Sequence, residues 1–82
     1  MDYFLEVVLP IPLEKLFTYK ISKAEADFLQ EGMRVAVPFG KSKIYTALAY
    51  RIHQNAPVAY EPKEIYQILD EHTVVTPVQL NN

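Results

Sequence analysis

The stretch MRVAVPFGKSKIYTALAYRI, residues 33–52, constrains the fold more than any other part of this chain. Met33, Val35 and Val37 alternate with Arg34 and Ala36. After the break, Ile44, Thr46, Leu48, Tyr50 and Ile52 alternate with Tyr45, Ala47, Ala49 and Arg51. Side chains that repeat every second residue stand on the two faces of an extended strand, whereas a helix would scatter them around its axis. The pattern predicts two strands, over 33–39 and 43–52, that meet at Gly40. The chain has only two glycines, so one placed between Phe39 and the KSK cluster answers a local need. A tight turn is one such need. Close approach of the backbone to a ligand beside positive charge is another.

The other segments are read by the same rules. YFLEVVL, 3–9, sets Tyr3, Leu5, Val7 and Leu9 against Phe4, Glu6 and Val8. Pro10 and Pro12 end it, because proline has no N–H for a sheet ladder. FTYKI, 17–21, has the aromatic and β-branched content of a second strand. Ser22 followed by Glu25 forms a capping box and predicts a short helix over about 23–30, with Phe28 and Leu29 as inward anchors and Gly32 at its left-handed end. QNAPVAYEPK, 54–63, with two prolines, reads as a loop, and KEIYQILD, 63–70, as a last strand. Thr76-Pro77 has the form of an N-cap and first helical turn that the end of the chain cuts off, so a fragment of a longer protein is expected. Five short strands and one short helix predict a mainly β domain, closed as a small barrel or bent as a strongly curved sheet.

An 82-residue chain lies near the lower end of what a hydrophobic core supports, and without cysteine neither a disulfide nor a thiolate metal site helps it. That usage fits a reducing, cytoplasmic setting. The start, MDYFLEVVLPIP, has two acids and an early proline, unlike the basic, apolar start of a signal peptide. No apolar run approaches the ~20 residues of a membrane-spanning helix. A soluble chain without a membrane partner is expected. Eight basic and ten acidic residues leave a net charge of −2. Counterion release rewards a basic excess, so charge alone argues mildly against a nucleic-acid partner. Any such contact is expected to be small and local, or one part of a larger machine.

Signatures of catalysis are scarce. The chain has no GxxxxGK[ST] phosphate loop, no GxSxG and no cysteine nucleophile. His53 and His72 have no second histidine at ligand spacing, and read as surface or edge residues. Asp70 and Glu71 are adjacent, point to opposite faces of a strand, and read as a solvated strand end. No enzyme and no cofactor is expected. What remains is aromatics among scattered bases: Phe17, Tyr19, Tyr45, Tyr50, Tyr60 and Tyr66, with Lys41, Lys43 and Lys63. Sheets favour aromatics for packing alone. The functional reading is a surface on which a nucleic-acid base stacks beside a cation.

FTYKI, then GMRVAVPFGKSK, then KEIYQILDEHTVVTP, preceded by VVLPIPL, are together similar to the N-terminal domain of the PriA family of replication-restart helicases. The resemblance runs across most of the chain, from about Leu5 to Pro77, and GxRVxVPFGK is its most specific piece. It implies a 3′ DNA-binding domain that captures the terminal nucleotide of a nascent leading strand at a stalled fork, with little regard for base identity. The implied partner is single-stranded or forked DNA with a 3′-hydroxyl end, with other primosome proteins reached through the longer chain.

Transferred residue by residue, the resemblance places Phe17 and Tyr19 in the pocket, Gly40 at its turn and Lys63 at the head of the last strand. Lys41 would add charge near phosphate. The chain departs from the family at Thr18, where aspartate is usual. A threonine hydroxyl accepts a hydrogen bond from a terminal hydroxyl without the strength that charge adds, and without repelling a terminal phosphate. A second departure is Thr46-Ala47, near which the family often has glycine. The alternative reading is a structural or protein-interaction domain in which Phe17 is buried against Val35, Leu48 or similar residues. An orphan barrel for a small ligand is the weakest of the three.

Overall fold

The alternation around Gly40 forms the antiparallel pair at the heart of the molecule. The computed structural model describes residues 1–70, and in it β3 (Arg34–Phe39) and β4 (Lys43–His53) pair from Arg34↔Leu48 to Phe39↔Lys43. Gly40 turns the chain between them at φ +68°, a left-handed conformation in which a side chain is strained. β1 (Tyr3–Val8) lies on the other side of β4, β2 (Phe17–Ile21) on the far side of β1, and β5 (Gln67–Ile68) beside β3. The sheet order is β2-β1-β4-β3-β5, antiparallel throughout. The helix expected at Thr76-Pro77 lies outside the described residues, as do Glu71 and His72.

The period-2 pattern decides which face is buried, but residue size decides how. On β4 the inner face carries the small Ala47 and Ala49, both buried, while Ile44, Leu48 and Tyr50 face outward. The alanines lie on a strand flanked on both sides and leave room for Leu5 and Val7 of β1 and Val35 and Val37 of β3, all with no exposed surface. Leu48 therefore stands outside the core.

The capping box forms as expected. The Ser22 hydroxyl accepts the Glu25 N–H at 3.1 Å, and the Glu25 carboxylate accepts the Ser22 N–H at 2.8 Å. The helix, α1 (Lys23–Phe28), is shorter than expected because Leu29 turns extended to reach the core. Phe28 is left largely exposed, which corrects its assignment as an inward anchor. Gly32 is also left-handed, at φ +93°, but it starts β3 instead of ending α1. Its N–H donates to the Ala49 carbonyl and the Ala49 N–H donates to the Met33 carbonyl, both at 2.8 Å, which extends the β3–β4 pairing by two bonds.

The expected strand over 63–70 is the largest revision. This segment divides its backbone bonds between the two edges of the sheet. The Lys63 carbonyl accepts the Lys20 N–H of β2, while Tyr66 and Leu69 donate to Ala36 and Arg34 of β3, all at 2.8 Å. No long ladder forms, so only two residues count as strand. The strap also pins the sheet's curvature. In a flat sheet β2 would lie three strand spacings, about 14 Å, from β3. Yet the Tyr19 hydroxyl donates to the Pro38 carbonyl at 2.7 Å, a distance one side chain spans only if the sheet bends. The ladder does not close into a barrel: one isolated Lys20↔Glu64 bridge joins strap and edge.

Asp70 is not the solvated strand end that its sequence context suggests. It is 8 % exposed, accepts the Arg34 N–H at 2.8 Å, and holds the Arg34 guanidinium through Nε and a terminal nitrogen at 3.0 and 2.8 Å. Beside that carboxylate the Arg34 pKa is raised further, chiefly by the hydrogen bond. The pair fastens the end of the strap to the start of β3.

Candidate functional site

Bending the sheet brings the free edge of β2 toward the β3–β4 turn, and the strap closes the third side. Between them is a cavity of about 290 Å³ lined by Phe17, Thr18 and Tyr19 of β2, Pro38, Phe39 and Gly40 at the turn, and Tyr60, Glu61 and Lys63 of the strap. That volume is at the small end for ligand sites, which run roughly 300–1,000 Å³. Its walls are mostly apolar, with four aromatic rings, Phe17, Tyr19, Phe39 and Tyr60, and a few polar groups converging on them. Depressions of about 350 and 390 Å³ elsewhere are lined instead by charged side chains already engaged with one another, such as Lys20 and Asp2, or Arg51 and Glu6.

Each wall is held by a bond that the fold dictates. β2 is an edge strand, so alternate N–H groups point away from β1 and need partners. Lys20 finds the Lys63 carbonyl, and Thr18 donates to the Tyr60 hydroxyl at 3.2 Å. With its backbone pinned, Lys63 extends its amine across the opening and donates to the Gly40 carbonyl at 3.1 Å. Phe17 is half-buried and meets Phe39 edge-on, ring centroids 5.3 Å apart, and Phe39 in turn packs on Tyr45 at 5.6 Å. The Lys15 ammonium lies 4.9 Å from the centre of the Phe17 ring, a cation over a π face. Gly40 faces open space, because a Cβ built there would meet nothing within 4 Å.

Tyr19 is the buried floor of the site. Burial, and then the neighbouring Tyr60, push its phenol up from 10.0 to about 12. The folded chain thus keeps this proton to higher pH than the unfolded chain. The contribution is complete below pH 10 and is lost as pH rises toward about 12, where the unfolded state binds fewer protons. Urea midpoints measured on either side of that window are expected to fall with pH. Tyr19→Phe removes the titrating group and is expected to flatten the fall, at a cost of about 1 kcal/mol for the lost bond to Pro38.

Five of the six residues singled out in the sequence, Phe17, Thr18, Tyr19, Gly40 and Lys63, line this one cavity. Lys41 does not; it is exposed on the turn beside it. Pro38, Phe39 and Glu61 also line it without having been singled out, and Tyr60, named only among the general aromatics, reaches β2 because the strap's path brings its proline-containing loop there. His53, at the other end of β4, stacks on Phe4 at 6.0 Å and has Nε2 3.5 Å from Glu6, far from the cavity lining.

Comparison with known families gives one match over nearly the whole length. The family model of the PriA 3′DNA-binding domain (3′BD) matches residues 6–82. No curated protein and no solved structure matches the chain.

Proposed function

Since this chain belongs to the family of PriA 3′ DNA-binding domains, we propose that the Phe17–Gly40–Lys63 cavity captures the 3′-terminal nucleotide of a DNA strand. In this reading the chain is one domain of a cytoplasmic replication-restart helicase, and its target is a nascent leading strand at a stalled fork. Other primosome proteins are reached through the rest of that helicase. One observation carries the proposal: three segments distant in sequence converge to put an aromatic ring, a left-handed glycine and an exposed lysine around one nucleotide-sized space.

Phe17 offers its ring to the base, and every base has a π face, so recognition does not depend on base identity. Lys63 meets phosphate as a mobile point charge. Gly40 lets the backbone approach the sugar. Thr18 is the hydroxyl partner of the terminal 3′-OH, and Glu61 is the carboxylate of the cavity lining. A 3′-phosphate would lie against that carboxylate, whereas a 3′-hydroxyl could donate to it.

The test is fluorescence anisotropy at low salt with three oligonucleotides: one with a free 3′-hydroxyl, one with a 3′-phosphate, and a circle. The expected order is free hydroxyl tightest, phosphate weaker, circle weakest. Equal binding to all three by a folded chain overturns terminal-nucleotide capture.

Gly40 separates conformation from contact. Asparagine tolerates the left-handed region better than other side chains, so Gly40→Asn is expected to stay folded. Its side chain would nevertheless project into the open space on the cavity wall. A loss of about tenfold in end binding, or ~1.4 kcal/mol, with an unchanged melting temperature is the expected result. Unchanged binding would mean that Gly40 serves the turn alone.

A second reading has its own support. Val8 of β1 and Leu48 of β4 are directly paired across the outer face and, with Ile44, leave large apolar side chains exposed. Such a face suits docking against the rest of a larger protein. It lies on the side of the sheet away from the core, so a protein contact there and end capture in the cavity can operate together.

A further inference from the structure

The chain is slightly acidic, yet its positive charge is unevenly committed. Of the eight basic residues, Lys20, Lys23, Arg34 and Arg51 lie within 4.0 Å of a carboxylate, on Asp2, Asp27, Asp70 and Glu6 respectively. The other four, Lys15, Lys41, Lys43 and Lys63, have no ion pair among the described residues, and all four are exposed. These four also stand around a single feature. Lys63 lines the cavity, Lys15 lies over its Phe17 wall, and Lys41 and Lys43 follow Gly40 on the turn that forms its other wall. The paired cations, Lys20 on β2, Lys23 on α1, Arg34 on β3 and Arg51 on β4, do not line the cavity. Net charge conceals this division, because it counts the neutralised and free cations alike.

The cavity itself is too small for a run of nucleotides and contains the Glu61 carboxylate, so it favours a sugar and base over phosphates. The free lysines lie at its rim, where the next phosphates of a strand leaving the cavity would fall. We propose that Lys15, Lys41 and Lys43 extend the Lys63 site into a short phosphate track for the two or so nucleotides that precede the captured end. The track rests on the end-capture reading given above. It makes the domain a reader of a short single-stranded tail, not of an isolated terminal nucleotide. The strand is held by sequence-independent charge contacts that salt weakens.

The experiment compares a dinucleotide with a hexanucleotide, both thymidylates with a free 3′-hydroxyl, on the full chain over a salt series. The hexanucleotide is expected to bind about tenfold more tightly at low salt. Its logarithmic salt slope should be steeper by about 1.4, the contribution of two single-strand phosphates at roughly 0.7 each. In Lys15→Gln/Lys43→Gln the ratio of the two affinities is expected to shrink to about twofold and the slopes to converge. Dinucleotide binding with no gain for the hexanucleotide overturns the track and leaves end capture standing. An unchanged ratio in the double variant also overturns it. Hexanucleotide binding without dinucleotide binding, lost in the double variant, supports the track while removing the terminal pocket. Binding of neither oligonucleotide by folded protein overturns both.

Discussion

Phe17→Ala is expected to weaken binding of an unblocked 3′ end by about 5- to 150-fold, the 1–3 kcal/mol that one base–aromatic stack contributes, and to affect binding within a continuous strand far less. The ring is half-buried and edge-packed on Phe39, so its removal also loosens the cavity wall. Phe17→Leu separates the two effects. Leucine keeps apolar contact with Phe39 but has no flat face to offer. Both variants should therefore lose end binding, while only alanine lowers the urea midpoint appreciably. Equal losses for ended and circular DNA in both variants would remove the terminal-nucleotide pocket. The Lys15 ammonium covers one face of the Phe17 ring, so a base stacking on that face would have to displace it.

Leu5→Ala is expected to cost about 2–5 kcal/mol, the range for emptying a well-packed leucine site. Leu5 has no exposed surface and sits on β1 between its neighbours, opposite Tyr19 on β2 and Ile52 on β4. A domain of this size has a total stability of roughly 4–12 kcal/mol at 0.05–0.15 kcal/mol per residue. The substitution thus removes a large share of it. Because Leu5 backs Tyr19, whose hydroxyl ties β2 to Pro38, the urea midpoint should fall sharply and end binding should fall with the folded fraction. Leu48→Ala is the control. Leu48 is on the outer face, 47 % exposed, and its truncation is expected to cost less than about 1 kcal/mol. Similar losses from the two leucines would show that the assignment of inner and outer faces is wrong.

Those two leucines also show where reading the chain succeeds and where it stops. Alternation around Gly40 places two strands within a residue of their observed ends, because the two-residue period is a property of extended backbone itself. The capping box marks the start of α1 for a similar reason: both of its hydrogen bonds are local. Which face of β4 turns inward is not local. The face with larger side chains, Ile44, Leu48 and Tyr50, points outward, and the alanines point inward because neighbouring strands fill the core above them. Phe28 fails for the same reason, since a six-residue helix has one turn to spare and Leu29 takes the inward place.

The site divides in the same way. The residue types at Phe17, Thr18, Tyr19, Gly40 and Lys63, and the similarity to the PriA family, were legible along the chain. Their convergence was not. It depends on the curvature of the sheet and on one segment that spends its hydrogen bonds on two different edges, and neither has a sequence period to reveal it. Tyr60 illustrates the point, because its place beside Thr18 comes from a contact across 42 residues. By itself the sequence determined local geometry: strand periods, a helix cap, a left-handed turn and the family to which the chain belongs. Tertiary structure alone decided which faces are buried, where the last segment pairs and which lysines stay free. Those outcomes are competitions among distant groups for the same space, the same N–H and the same carboxylate.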